Sequence, residues 1–287
     1  MTRGNVASLL FVAAVSSAVP VVADEGVPDF SGVWGRNTID YSAPDRGKGP
    51  LKNISGSRNI MVGDFHDPML KPWAANVVKR NGEIARTGAA FPTAHNQCWP
   101  EPPPYILGNQ ELQVLQQKNQ VLLMYSHGSQ VRHVRLNSKH PAKPEPSWYG
   151  DSIGHYEGGA LVVDTVGVKM APLSSLDRYG SPHTEALHVV ERYSMVEQKR
   201  DASEPTATGG FRGADDAIDR NYQGKVLRAD FTVEDAGAFN SSWSGVVIYG
   251  RAKGTFIEDV CAENVHDYIT GRDAAVPTAK SLQISGD

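Results

Sequence analysis

Ser152-Ile153-Gly154-His155-Tyr156-Glu157-Gly158-Gly159-Ala160-Leu161-Val162-Val163-Asp164-Thr165-Val166 decides the fold class. Two β-prone runs, Ser152 to Tyr156 and Leu161 to Val166, flank a Glu157-Gly158-Gly159 turn. The glycine pair supplies the positive φ that a tight hairpin turn requires. Upstream, Leu112 to Leu115 and Val121 to Tyr125 form a second hairpin around Gln116 to Gln120, and Gln130 to Leu136 (QVRHVRL) follows as a strand. Downstream, Leu187 to Met195, Lys225 to Val233, Trp243 to Tyr249 and Thr255 to Val260 read as strands, and polar, Gly-rich Lys199 to Ala217 reads as an exposed loop. Short strands at near-regular spacing, with no long helices between them, predict a mainly β protein. The expected architecture is an antiparallel β-barrel or curled sheet with long loops and a few short helices. The absence of an internal repeat argues against a propeller.

The N-terminal part differs. Arg3, the apolar run Val6 to Val15, and small residues ending Val21-Val22-Ala23 before Asp24-Glu25 follow the order of a secretory signal, with cleavage expected after Ala23. The apolar core is shorter than the roughly 20 residues that span a bilayer, so an exported protein with no membrane span after processing is expected. From residue 24 to 104 the chain is rich in Gly, Pro and Asn. Within it, Pro68 to Arg80 suits a short helix with Trp73, Val77 and Val78 on one side, and Trp99 to Pro104 must be extended. The expected organisation is a signal peptide (1–23), a Pro/Gly-rich segment packing on the barrel (24–104), an antiparallel β domain (105–270) and a flexible tail (271–287).

A net charge of −4, with no compensating basic run, excludes nucleic acid as a natural partner. The two cysteines, Cys98 and Cys261, are an even count in an exported chain, which favours one disulfide over two buried thiols. Neither has a CxxC partner, which disfavours redox catalysis and a zinc ribbon.

The chain resembles a large group of uncharacterised secreted bacterial proteins. The likeness is carried by Trp148 to Gly158 (WYGDSIGHYEG), Leu161 to Thr165, Pro182 to Leu187, Glu191-Arg192-Tyr193 and Cys261-Ala262-Glu263-Asn264, together with Asp29 to Trp34. Gly159 stands where that group has an acidic residue. The resemblance implies one continuous domain and carries no activity. Gly32-Val33-Trp34 ahead of a β-meander is also similar to the opening of a lipocalin-like barrel.

Nucleotide-binding, HExxH and EF-hand patterns are absent, which leaves titratable residues as the chemistry. His133 and Arg135 share one face of their strand and Arg132 the other. Tyr149, Asp151 and His155 bracket the hairpin start, with Asp151 and His155 alternating onto one face. His183 and Glu185 sit where a loop runs into a strand, a usual place for catalysis on a barrel. The expected catalytic set is His133, Tyr149, Asp151, His155, His183 and Glu185. Tyr105, Tyr125, Arg132, Trp148 and Tyr156 are the expected substrate-binding residues. No two histidines lie at HxH or HxxxH spacing, so no metal is expected. These residue types suit cofactor-independent acid–base chemistry of lyase, isomerase or cyclase type on a partly apolar or aromatic substrate. The same pocket also suits a periplasmic or secreted carrier of a hydrophobic small ligand, and polar loops alone suit an interaction domain. Convergence of a His with a carboxylate or Tyr in the main cavity separates the enzyme from the other two.

Overall fold

In the computed structural model the alternation read from the sequence closes on itself. The structure describes residues 27–36, 40–108, 111–197, 218–219, 221–256, 260–261, 266–267 and 272–273. The signal segment (1–23), the 199–217 loop and residues 274–287 of the tail lie outside them. Nine strands form a closed barrel in sequence order: β1 Gly32–Gly35, β2 Glu111–Gln116, β3 Gln120–Tyr125, β4 Gln130–Leu136, β5 Asp151–Glu157, β6 Ala160–Val166, β7 His188–Val196, β8 Val226–Glu234 and β9 Trp243–Arg251. β9 returns to β1 through Trp34↔Arg251 and Gly35↔Gly250. A separate two-stranded ribbon pairs β10 His266–Asp267 with β11 Arg272–Asp273.

Two findings correct the expected layout. The barrel is mixed rather than wholly antiparallel, because β4 and β5 run parallel. Parity demands it: a closed ring with an odd number of strands cannot alternate direction at every seam. The chain from 137 to 150 is the crossover that carries it back to the same barrel end. The N-terminal segment also does more than pack on the barrel, since β1 is one of its strands. In the expected last strand, Thr255, Phe256 and Val260 lie outside any strand, and 257–259 are not among the described residues.

Local chemistry explains the elements. Gly158 and Gly159 both take positive φ (56° and 76°), as the β5–β6 turn requires. Gly32 has φ 122°, and a Cβ there would collide with the Arg251 guanidinium, which lies 5.0 Å over the Trp34 ring. Helix α1 spans Pro72–Arg86, with Pro72 in its first turn, where the missing N–H costs nothing. Its buried stripe is Ala74, Val78, Gly82 and Ala85. Trp73, expected on that side, is 41% exposed and donates its indole N–H to the Gly237 carbonyl.

Inward residues fill the barrel axis: Trp34, Tyr125, Tyr193, Phe231, Trp243 and Tyr249 are all buried. One end is capped by α1 and by segments carrying Tyr41, Leu51, Leu70, Leu176, Tyr179 and Phe239, which join the same core. Tyr41 and Phe231 meet edge to face at 4.8 Å, as do Phe231 and Trp243 at 5.7 Å. Among the described residues no helix is long and apolar enough to cross a membrane.

Candidate functional site at the capped end of the barrel

The inward face of β4 carries a cation into the core. Arg132 donates both terminal nitrogens to Glu191 on β7, at 2.9 and 2.7 Å, with both side chains wholly buried. Its Nη2 also lies 3.4 Å from Ser152 Oγ and 3.3 Å from Thr165 Oγ1, and those two hydroxyls bond each other at 2.9 Å. Burial works to strip the charge from Arg132, but the Glu191 carboxylate outweighs it and holds the guanidinium firmly protonated. Tyr193 donates to Glu191 Oε1 at 3.3 Å, and burial pushes its phenol well above the usual range. The same burial pushes Tyr125 up to about 12.

β4 and β5 pair only from Val134 to Leu136 with Ser152 to Gly154. Toward the capped end they part and leave a cleft of about 400 Å³. His133, Arg135, Tyr149 and Asp151 line it, with Arg132 and Ser152 among its other walls. His133 and Asp151 both line it from the outer face of their strands. His133 Nδ1 lies 3.4 Å from Gln120 Oε1, and its Nε2 has no hydrogen-bond partner among the described residues. Asp151 takes a two-pronged bond from Arg135 (2.7 and 3.0 Å), and His140 Nδ1 sits 2.6 Å from its Oδ1. The Arg135 bond, aided by His140, keeps this carboxyl below its ordinary value against the opposing effect of partial burial. Tyr149 donates to Gln130 Oε1 at 3.2 Å, and burial, reinforced by the Glu101 charge, pushes it up to about 12.

From Asp151 a chain of imidazoles and carboxylates crosses the barrel surface. His140 Nε2 and His188 Nε2 both face Asp164 Oδ1, at 3.1 and 3.0 Å, and His188 Nδ1 lies 3.4 Å from Glu234. Sequence reasoning missed His140, which sits on the crossover loop after Lys139, outside any strand. A second cluster it missed lies at the same barrel end. His95, Glu101 and His127 bring one ligand atom each within 4.8 Å of one another.

The other expected site residues are dispersed. His155 lies at the far end of β5, exposed, 3.4 Å from Glu157. His183 reaches the capped end but not the cleft. It is 3% exposed, donates Nδ1–H to the Thr184 carbonyl and accepts from Ser174 Oγ at 2.7 Å. Burial holds it below its ordinary value. Glu185 is exposed beside it. Tyr125 points into the core, Tyr156 accepts a bond from Gln116 at the opposite end, and Tyr105 lies near His95. Trp148 packs edge-on against Trp99, with Lys169 over its ring at 4.9 Å. Gly150-Asp151-Ser152-Ile153-Gly154 has the G-x-S-x-G spacing of a nucleophile elbow. However, Ser152 lies on a regular strand, buried and facing inward, so it lacks the strand–turn–helix context that exposes such a serine. Cys98 and Cys261 form a disulfide that ties the loop before Trp99 to the C-terminal segment.

No family model matches the chain, and no curated protein or solved structure matches it either.

Proposed function

We propose that the protein is an exported small-molecule enzyme that performs cofactor-independent acid–base chemistry in the β4–β5 cleft. The observation that carries this reading is the meeting of His133, Tyr149 and Asp151 around one cleft of about 400 Å³, within the size range of small-molecule sites. In this reading His133 Nε2 takes a proton from substrate carbon or oxygen. Asp151, kept ionised by Arg135, lines the same cleft and stabilises the positive charge that forms there, and the neutral Tyr149 phenol returns a proton to the substrate. Elimination, isomerisation and cyclisation all need that pairing. Trp148, between the cleft residues Ser147 and Tyr149 in the chain and packed on Trp99, suits a substrate with aromatic or apolar parts. Export rests on the N-terminal signal pattern and is supported by the disulfide, which fits a periplasmic or extracellular compartment.

The test is proton NMR in D₂O, with the processed chain incubated with a panel of small carbonyl and hydroxy acids, lactones and aryl analogues. Solvent deuterium should enter a carbon of the true substrate, and His133→Ala should slow this by about 10²-fold while the fold is kept. Tyr149→Phe should slow it less. A compound that binds the cleft and never exchanges or turns over identifies a carrier instead.

A further inference from the structure

We propose that His95, Glu101 and His127 form a binding site for a single divalent transition-metal ion, zinc above all, at the capped mouth of the barrel. This inference is independent of the chemistry in the β4–β5 cleft. Three features support it. The donor set is two imidazoles and one carboxylate whose ligand atoms lie within 4.8 Å of one another. Nitrogen-rich sites of this kind favour zinc and its neighbours over magnesium or calcium, and three protein ligands leave a position open. The orienting contacts of a metal site are also in place. His127 Nε2 lies 3.1 Å from the His95 carbonyl, which can only accept, so Nε2 donates there and fixes the orientation of the ring. Gln130 holds Glu101 through a 3.2 Å bond to Oε2 and accepts the Glu101 backbone N–H, which fixes the position of the carboxylate.

The third feature is how closely the donors are packed. The His95 and His127 rings stack at 4.0 Å, which holds both imidazoles together beside Glu101. His95 Nδ1 and Glu101 Oε1 stand 2.6 Å apart, the separation of a shared proton. On binding, the ion takes that proton's place and the two atoms part to about 3.3 Å, the edge of a tetrahedron with zinc-type bonds. Glu101 forms the floor of the site at 1% side-chain exposure, and His95, at 44%, forms its open side. The Cys98–Cys261 disulfide clamps the segment that carries His95 and Glu101.

Untagged, processed protein should be dialysed against zinc chloride, stripped of loose ion by brief gel filtration and assayed for metal per chain. Cobalt substitution should be followed by visible absorption. One equivalent of zinc is expected, with the absorption of a low-symmetry cobalt site. His127→Ala and His95→Ala should each weaken retention by at least about 10-fold, while His66→Ala leaves it unchanged. Near-UV circular dichroism confirms folding. If His127→Ala unfolds, His95→Ala carries the result alone. A folded wild-type chain that retains no zinc overturns the proposal, as does undiminished retention in His95→Ala.

Discussion

Arg132 and Arg135 stand three positions apart on one strand, and each grips a carboxylate with both terminal nitrogens. Arg132 holds Glu191 at 2.9 and 2.7 Å, and Arg135 holds Asp151 at 2.7 and 3.0 Å. The geometry is nearly the same and the surroundings are opposite. The inner pair is fully buried, whereas the outer pair is 45% and 16% exposed. Water screens the outer pair and leaves it adaptable. The inner pair has no such freedom, because either charge alone in the core would be uncompensated. Strand alternation thus sorts two identical chemistries into a buried pin and a water-facing pair.

The largest effect should come from breaking the pin. Glu191→Leu leaves the Arg132 charge buried without its partner and should cost about 3 to 5 kcal/mol in urea unfolding. The double variant Arg132→Met/Glu191→Leu should recover most of that loss, since well-packed apolar residues often replace a buried pair without penalty. Equal losses in the single and double variants would mean that the pair contributes net stability of its own.

The same contrast separates two kinds of histidine. His140 and His188 face carboxylates on the surface, whereas His183 is buried with both ring nitrogens committed. Burial holds His183 below its ordinary 6.5, so the unfolded chain binds the proton more readily than the native one. Stability from this group is therefore complete above about pH 6.5 and is lost as pH falls below it. His183→Ala should cost about 1 to 3 kcal/mol at neutral pH, because it strands the Ser174 hydroxyl and leaves the Thr184 carbonyl with the Leu187 N–H alone. It should also flatten the decline in unfolding midpoint toward acid. An unchanged pH slope would move His183 out of the buried class.

Most barrel strands were legible because period-2 burial is written directly in runs such as Gln130 to Leu136, where Gln130, Arg132 and Val134 turn inward. The parallel β4–β5 seam was not legible, because direction depends on the total strand count. That count turned on Gly32 to Gly35, a strand too short to weigh by itself. Within the candidate site, His133, Tyr149 and Asp151 could be found because they lie on or next to strands. His140, His95 and His127 lie on loops, where no periodicity fixes a side chain's direction. Their meetings with Asp151 and Glu101 depend on the crossover and on the capping segment. The Cys98–Cys261 pairing was the one available sign that residues near 98 are drawn to the barrel mouth. His155 failed to join the cleft for a simpler reason. It shares the outer face with Asp151, but it sits two alternations further along β5, toward the opposite end.

The smallest effect should come from the outer pair itself. At neutral pH, Asp151→Asn removes the charge and leaves a side chain that still fits beside Arg135. An exposed pair of this geometry is worth about 0.2 to 1 kcal/mol, and raised salt should shrink it further. The pH dependence has a definite sign. Arg135 and His140 hold the Asp151 carboxyl below its ordinary 3.8, so its stabilisation is complete above that value and is lost as pH falls below it, through the lowered native value. Asp151→Asn should therefore match the wild type in acid and lie slightly below it at neutral pH, with the gap closing in high salt. Glu191→Leu, by contrast, should keep its deficit at every salt concentration, because screening ions do not reach the barrel core. A loss above about 2 kcal/mol for Asp151→Asn, insensitive to salt, would place the outer pair with the inner one. Burial would then no longer be what separates the two arginines of β4.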